Sequence, residues 1–83
     1  NQLNYKSMTK VKWKIRNGVV SNQDGSQIAH VLGDASNMEE SIIEVAPEAI
    51  CAIAEFVNDV NNGSMKPRAA VKKFEKILEK IEN

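Results

Sequence analysis

Lys10-Val11-Lys12-Trp13-Lys14-Ile15-Arg16-Asn17-Gly18-Val19-Val20-Ser21-Asn22 is written in period two around a turn signal. Apolar Val11, Trp13 and Ile15 alternate with four bases, the pattern of a strand buried on one face. Asn17-Gly18 is the favoured pair for a two-residue turn in which both positions need positive φ. The chain therefore folds back after Arg16, with Val20 beside Ile15 and Asn22 beside Trp13. A second turn at Gln23-Asp24-Gly25 leads into Ser26–Leu32, closed by Gly33. Its length decides which residues reach the core, because a slip of one residue exchanges the two faces. A two-residue Asp24-Gly25 loop puts Gln27, Ala29 and Val31 on the side of Val20. A three-residue loop, with Gly25 left-handed, puts Ile28, His30 and Leu32 there. The second option is favoured, since it assembles the larger apolar set of Val11, Trp13, Ile15, Val20, Ile28 and Leu32.

Beyond Gly33 the period becomes helical. Ser36-Asn37-Met38-Glu39 has the spacing of a capping box, and acids at 39 and 40 suit the positive end of a helix dipole. This predicts a first helix from Asn37 to Val45. Pro47 has no amide proton and clashes with the carbonyl four residues back, so a break or sharp kink is predicted, with a second helix from Pro47 to Asn61. Asn61-Asn62-Gly63-Ser64 is a stop, and Pro67 opens a third helix to about Ile81. In the second helix Ala49, Ile50, Ile53, Phe56, Val57 and Val60 share one side, a wide arc predicted to touch both the third helix and the sheet. The third helix carries a narrower seam of Ala70, Val71, Phe74, Ile77, Leu78 and Ile81. A short connection makes the two helices antiparallel neighbours. The predicted fold class is α+β: a three-stranded antiparallel β-meander over residues 9–33, then two to three helices over 36–83. Residues 9–83 form a single small domain. Met8 can serve as initiator, so residues 1–8 are expected to be a mobile N-terminal segment.

A chain of 83 residues falls where one core supplies only about 3–5 kcal/mol, unless disulfides, a metal or oligomerisation contribute. One cysteine and one histidine allow no internal disulfide and fall short of a zinc ligand set. No cofactor or metal is expected, and self-association is the remaining source of stability. No apolar run approaches the roughly 18 residues of a membrane span, and residues 1–16 lack the apolar core of a signal peptide. A cytoplasmic protein with no membrane partner is therefore the expectation.

Three motifs in this order resemble short uncharacterised proteins of tailed bacteriophages and prophages. They are Trp13-Lys14-Ile15, then Asp24-Gly25-Ser26-Gln27-Ile28-Ala29, then Ser41-Ile42-Ile43-Glu44-Val45-Ala46-Pro47-Glu48-Ala49-Ile50 with Ala52-Ile53. They match a W-x-I strand, a D-G-x-x-I-A hairpin and a helix reading N-A-x-L-I-A-x-A-P-E-L-L-x-A-L. The resemblance covers roughly residues 11–57. Ser41 and Glu44 depart from the Asn- and Ala-rich version, and the Lys-rich third helix is not in the pattern. The resemblance implies a phage origin and expression in the host bacterial cytoplasm, and it carries over no activity.

The net charge of zero hides a sorted chain. Residues 1–33 hold five bases and one acid, residues 34–63 seven acids and no base, and residues 64–83 six bases and three acids. Lys10, Lys12, Lys14 and Arg16 form a comb on one sheet face, which suits a polyanion such as nucleic acid or the protection of an edge strand. No aromatic shares that comb. Glu44, Glu48, Glu55 and Asp59 form an acidic helix face that can meet a basic host or phage protein. Lys72, Lys73, Lys76 and Lys80 can lie beside it, within one chain or across a homodimer, and set antiparallel orientation. Phe56, Phe74, Ile77, Leu78 and Ile81 are the candidates for self-association. For chemistry, His30 lies mid-strand with no partner in view, Cys51 is flanked by acids where a thiolate needs bases, and Glu44 with Glu48 has ordinary helical spacing. Catalytic residues are therefore not expected. The reading that follows is a non-enzymatic accessory protein working through protein–protein contact and self-association, with a nucleic-acid-binding basic strand as the alternative.

Overall fold

Asn17 and Gly18 both take positive φ, 52° and 76°, closing the tight turn that the pair predicts. In this computed structural model, which describes residues 5–64 and 66–81, the turn joins β1 (Lys14–Arg16) to β2 (Val19–Ser21), and Ile15 lies opposite Val20. β3 (Gln27–His30) adds to the other side of β2, giving an antiparallel sheet in the order β1-β2-β3. A single helical turn, α1 (Tyr5–Met8), precedes the sheet, and α2 (Asn37–Asn61) and α3 (Pro67–Glu79) follow it. The fold is α+β, a three-stranded meander followed by helices.

The second turn forms as a three-residue loop with Gly25 left-handed, at φ 83°. The amide of Asn22 donates to the Ser26 carbonyl at 2.9 Å, and that of Gly25 to the Asn22 carbonyl at 3.0 Å. The register expected from that loop does not persist. Ser21 lies opposite Gln27, but a bulge then inserts one residue into β3, so Val20 lies opposite Ala29 rather than Ile28. Ile28 and Leu32, both expected in the core, are 45% and 94% exposed, and His30 is exposed as well. The physical reason is the reach of the helices. α2 packs on β1, and all four residues of β3 are exposed. A strand with neither face buried has no apolar penalty against a slipped register.

β1 is shorter than predicted at its start. The Lys10 and Val11 amides donate back to the Ser7 and Met8 carbonyls, so Lys10 belongs to the turn after α1. Of the segment expected to be mobile, residues 1–4 lie outside the described residues, while 5–8 form the helical turn that contacts α2.

α2 starts as its sequence dictates. The Ser36 hydroxyl accepts from the Glu39 amide at 3.1 Å, and the Glu39 carboxylate accepts from the Ser36 amide at 2.8 Å. These two bonds, backbone first, hold the Glu39 carboxyl below its usual value of 4.5. A carboxyl depressed in the folded state adds stability that is complete above 4.5 and is lost as pH falls through the folded value. Melting followed between pH 6 and pH 3 should therefore show an acid-side loss from which Glu39→Gln removes the Glu39 contribution and which Ser36→Ala, keeping the backbone bond, only reduces while it lowers stability at every pH by loss of the cap.

The predicted break at Pro47 does not occur: α2 is one helix of 25 residues with Pro47 inside it and buried. An internal proline costs a helix about 3 kcal/mol relative to alanine. Here packing on both sides of Pro47 outweighs that cost. Val45 belongs to the core cluster with Ala52 and Ile77, and Ala49 and Phe74 pack against it. With Ile15, Val20 and Ala54 these complete a small apolar core. The molecule is thin, 44 × 27 × 16 Å, so much of the helical apolar arc is left outside that core.

Candidate functional site

Three surfaces carry the residues singled out by the sequence. The first is the flank between α2 and α3. Glu48 pairs with Lys80, whose Nζ lies 2.7 and 2.8 Å from the two carboxylate oxygens. Glu55 pairs with Lys73. Both pairs are partly exposed, and each is worth about 0–1 kcal/mol. Their value is orientation, because they fix the register of the antiparallel hairpin. Asp59 borders a shallow recess with Lys66 and Lys73. Glu44 turns instead toward the sheet, where its Oε2 accepts from the Ile15 amide at 3.0 Å. The acidic stretch is thus largely engaged within the chain. Lys72 and Lys76 stay exposed.

The second surface is apolar. Of the five residues named for self-association, Phe56 and Phe74 meet edge to face, with centroids 5.7 Å apart at 69°, and Ile77 is buried in the core cluster. Ile81 is half-buried. Their apolar surface is spent inside the hairpin, and Leu78 remains outside at 64% exposure. Of the α2 arc predicted to touch the sheet, Ile50, Ile53, Val57 and Val60 are exposed, as is Ile42 nearer the start of the helix. At 100° per residue these five share the flank of α2 away from Glu48 and Glu55. On α3, Val71 and Leu78 lie on the flank away from Lys73 and Lys80. Since the acid–base pairs fix one side of the hairpin, both apolar flanks fall on the other side.

The third surface is the outer side of the β1-β2 hairpin, a groove lined by Lys12, Lys14, Arg16, Val19, Ser21 and neighbouring amides. Lys10, the fourth tooth of the predicted comb, is not among its lining residues. A cleft of about 700 Å³ runs between β1 and α2, with Trp13, Pro47 and Cys51 in its wall, and Lys12, Lys14 and Arg16 border it as well, together with Glu44 and Glu48. No family model, curated protein or solved structure matches this chain. The functional reading therefore rests on these surfaces.

Among the described residues, no group of three His, Cys, Asp or Glu side chains is placed to hold a metal ion. Among the same described residues no helix is long and apolar enough to cross a membrane. His30 and Cys51 lie on different elements, β3 and α2, His30 exposed and Cys51 half-buried. The Glu44 role was missed by the sequence reading because it joins positions 29 apart. The available signal was its place on the strand-facing side of α2.

Proposed function

We propose that this is a small, non-enzymatic, phage-type accessory protein of the host bacterial cytoplasm that acts through protein–protein contact and assembles as a homodimer. The order of the Trp13-Lys14-Ile15, Asp24-Gly25 and Ala46-Pro47-Glu48 motifs supports the phage-type assignment. The observation that carries the self-association is the open apolar flank of the hairpin. Met38, Ile42, Ile50, Ile53, Val57, Val60, Val71 and Leu78 are each 37–64% exposed. A run of exposed apolar side chains along one flank of this kind marks an interaction surface rather than the scattered apolar residues of an ordinary monomer surface. A second copy is the occupant that fits, because a two-fold interface needs one self-complementary patch, and an uncharged apolar flank meets its own copy without like-charge repulsion. Burying it in a dimer adds the stability that a thin 83-residue core lacks.

Sedimentation equilibrium tests this. The wild-type chain is expected to run as a dimer at micromolar concentration and to dissociate on dilution. Ile53→Glu/Leu78→Glu places two charges on the patch and is expected to give a monomer with an unchanged far-ultraviolet helix signal. A wild-type monomer at high micromolar concentration, or a variant that remains dimeric, overturns the assignment.

A further inference from the structure

The basic groove on the hairpin is not used by the assembly face, and its chemistry selects a different partner. β1 is an edge strand of the sheet, and Lys12, Lys14 and Arg16 all line the groove on its outer side. Among the described residues none of the three takes part in an ion pair, the observed pairs being Lys73 with Glu55 and Lys80 with Glu48. No carboxylate lines the groove; Glu44 and Glu48 lie in the adjoining cleft, which the three cations border from their other side. Its other walls are Val19, Ser21 and the amides of Asn17, Asn22, Gln23 and Gln27. The Gln23 carbonyl oxygen accepts from the Lys12 backbone amide at 3.2 Å. That bond fixes the start of β1 to the second turn and orients the Gln23 side chain, whose nitrogen is its donor end.

We infer that this groove, defined by Lys12, Lys14 and Arg16, binds the phosphate backbone of double-stranded DNA without reading its sequence. Lys14 and Arg16, alternate residues of β1, stand about 6.6 Å apart on one face, and Lys12 adds a third cation to the same groove just before the strand begins. A row of cations of this kind neutralises a row of backbone phosphates. Amide and hydroxyl donors beside them are the groups that hold phosphate oxygens in register. Duplex is favoured over single strand because no aromatic side chain lines the groove, and single-strand binders stack bases on such rings.

Fluorescence anisotropy with a short mixed-sequence DNA duplex tests the inference. Three phosphate contacts give a log–log salt slope of about −2.7, which is about a 40-fold loss of affinity between 50 and 200 mM salt. Lys12→Glu/Lys14→Glu is expected to abolish binding at the lower salt, and Lys12→Arg/Lys14→Arg to keep both affinity and slope. Arg16→Gln, which removes one charge, is expected to reduce the slope by about 0.9. That single variant preserves the test if the double charge reversal fails to fold, as read by circular dichroism. Absence of duplex binding at low salt overturns the inference. So does an unchanged slope in Arg16→Gln, tighter binding of single-stranded DNA, or binding of polyglutamate in place of duplex.

Discussion

Ile77→Ala is expected to leave the protein largely unfolded near 37 °C. Ile77 is 6% exposed and packs with Val45 and Ala52, the contact that closes α3 on α2. Truncating a buried isoleucine to alanine costs about 2–5 kcal/mol, and a domain of this size has about 3–5 kcal/mol in all. With about 4–8 °C lost per kcal/mol in chains of this length, a fall in melting temperature of about 8–40 °C follows. Leu78→Ala, one residue along, removes similar bulk from a side chain that is 64% exposed. Its effect is expected within about 0.5 kcal/mol in dilute solution. If the proposed dimer forms, Leu78→Ala should lose stability by mass action as concentration rises while the Ile77→Ala loss stays constant. Melting each variant across a concentration series separates the two, and equal losses at high dilution would contradict the burial difference.

Glu44→Ala is expected to destabilise by about 1–2 kcal/mol, more than an exposed helical acid normally does. The Glu44 carboxylate takes a partly buried amide, that of Ile15, and bonds with one charged partner are worth more than neutral ones. Glu44→Gln keeps an acceptor oxygen and should lose about half as much. Hydrogen exchange resolved at the Ile15 amide is the discriminating measurement. Its protection should fall in Glu44→Ala before that of the α2 amides does, and unchanged protection would sink the assignment. The same carboxylate blunts the open edge of β1, so Glu44→Ala should also aggregate more readily.

What could be read from sequence was what the chain settles locally. Asn17-Gly18 and the Ser36 to Glu39 box satisfy their backbone groups within a few residues, Pro67 opens α3 because its fixed φ and missing amide suit a first helical position, and each is found where its letters put it. Gly25 shows the limit. Its left-handed turn is local and forms, yet the bulge two residues later moves Ile28 out of the pairing that the turn implies. No local pattern encodes that insertion, and no helix covers β3 to punish it. Pro47 fails as a stop for the opposite reason: its local cost is plain, and distant packing through Val45, Ala52 and Ile77 outweighs it. Glu55 and Glu48 beside Lys73 and Lys80 follow from two amphipathic helices with matched flanks. That Ile53 and Val57 stay open could not be read, because an apolar arc looks the same in sequence whether the chain or a second copy covers it.

Trp13, the single tryptophan of the chain, stands half-buried in the wall between β1 and α2. It therefore reports optically on one seam of the molecule, the docking of sheet on helix. The α2–α3 hairpin carries only phenylalanines, Phe56 and Phe74, which are silent when tryptophan is excited. Emission and the helical circular-dichroism band thus watch different halves of the same chain. Coincident transitions would mean that sheet and hairpin melt as one unit, and separated ones that they open independently.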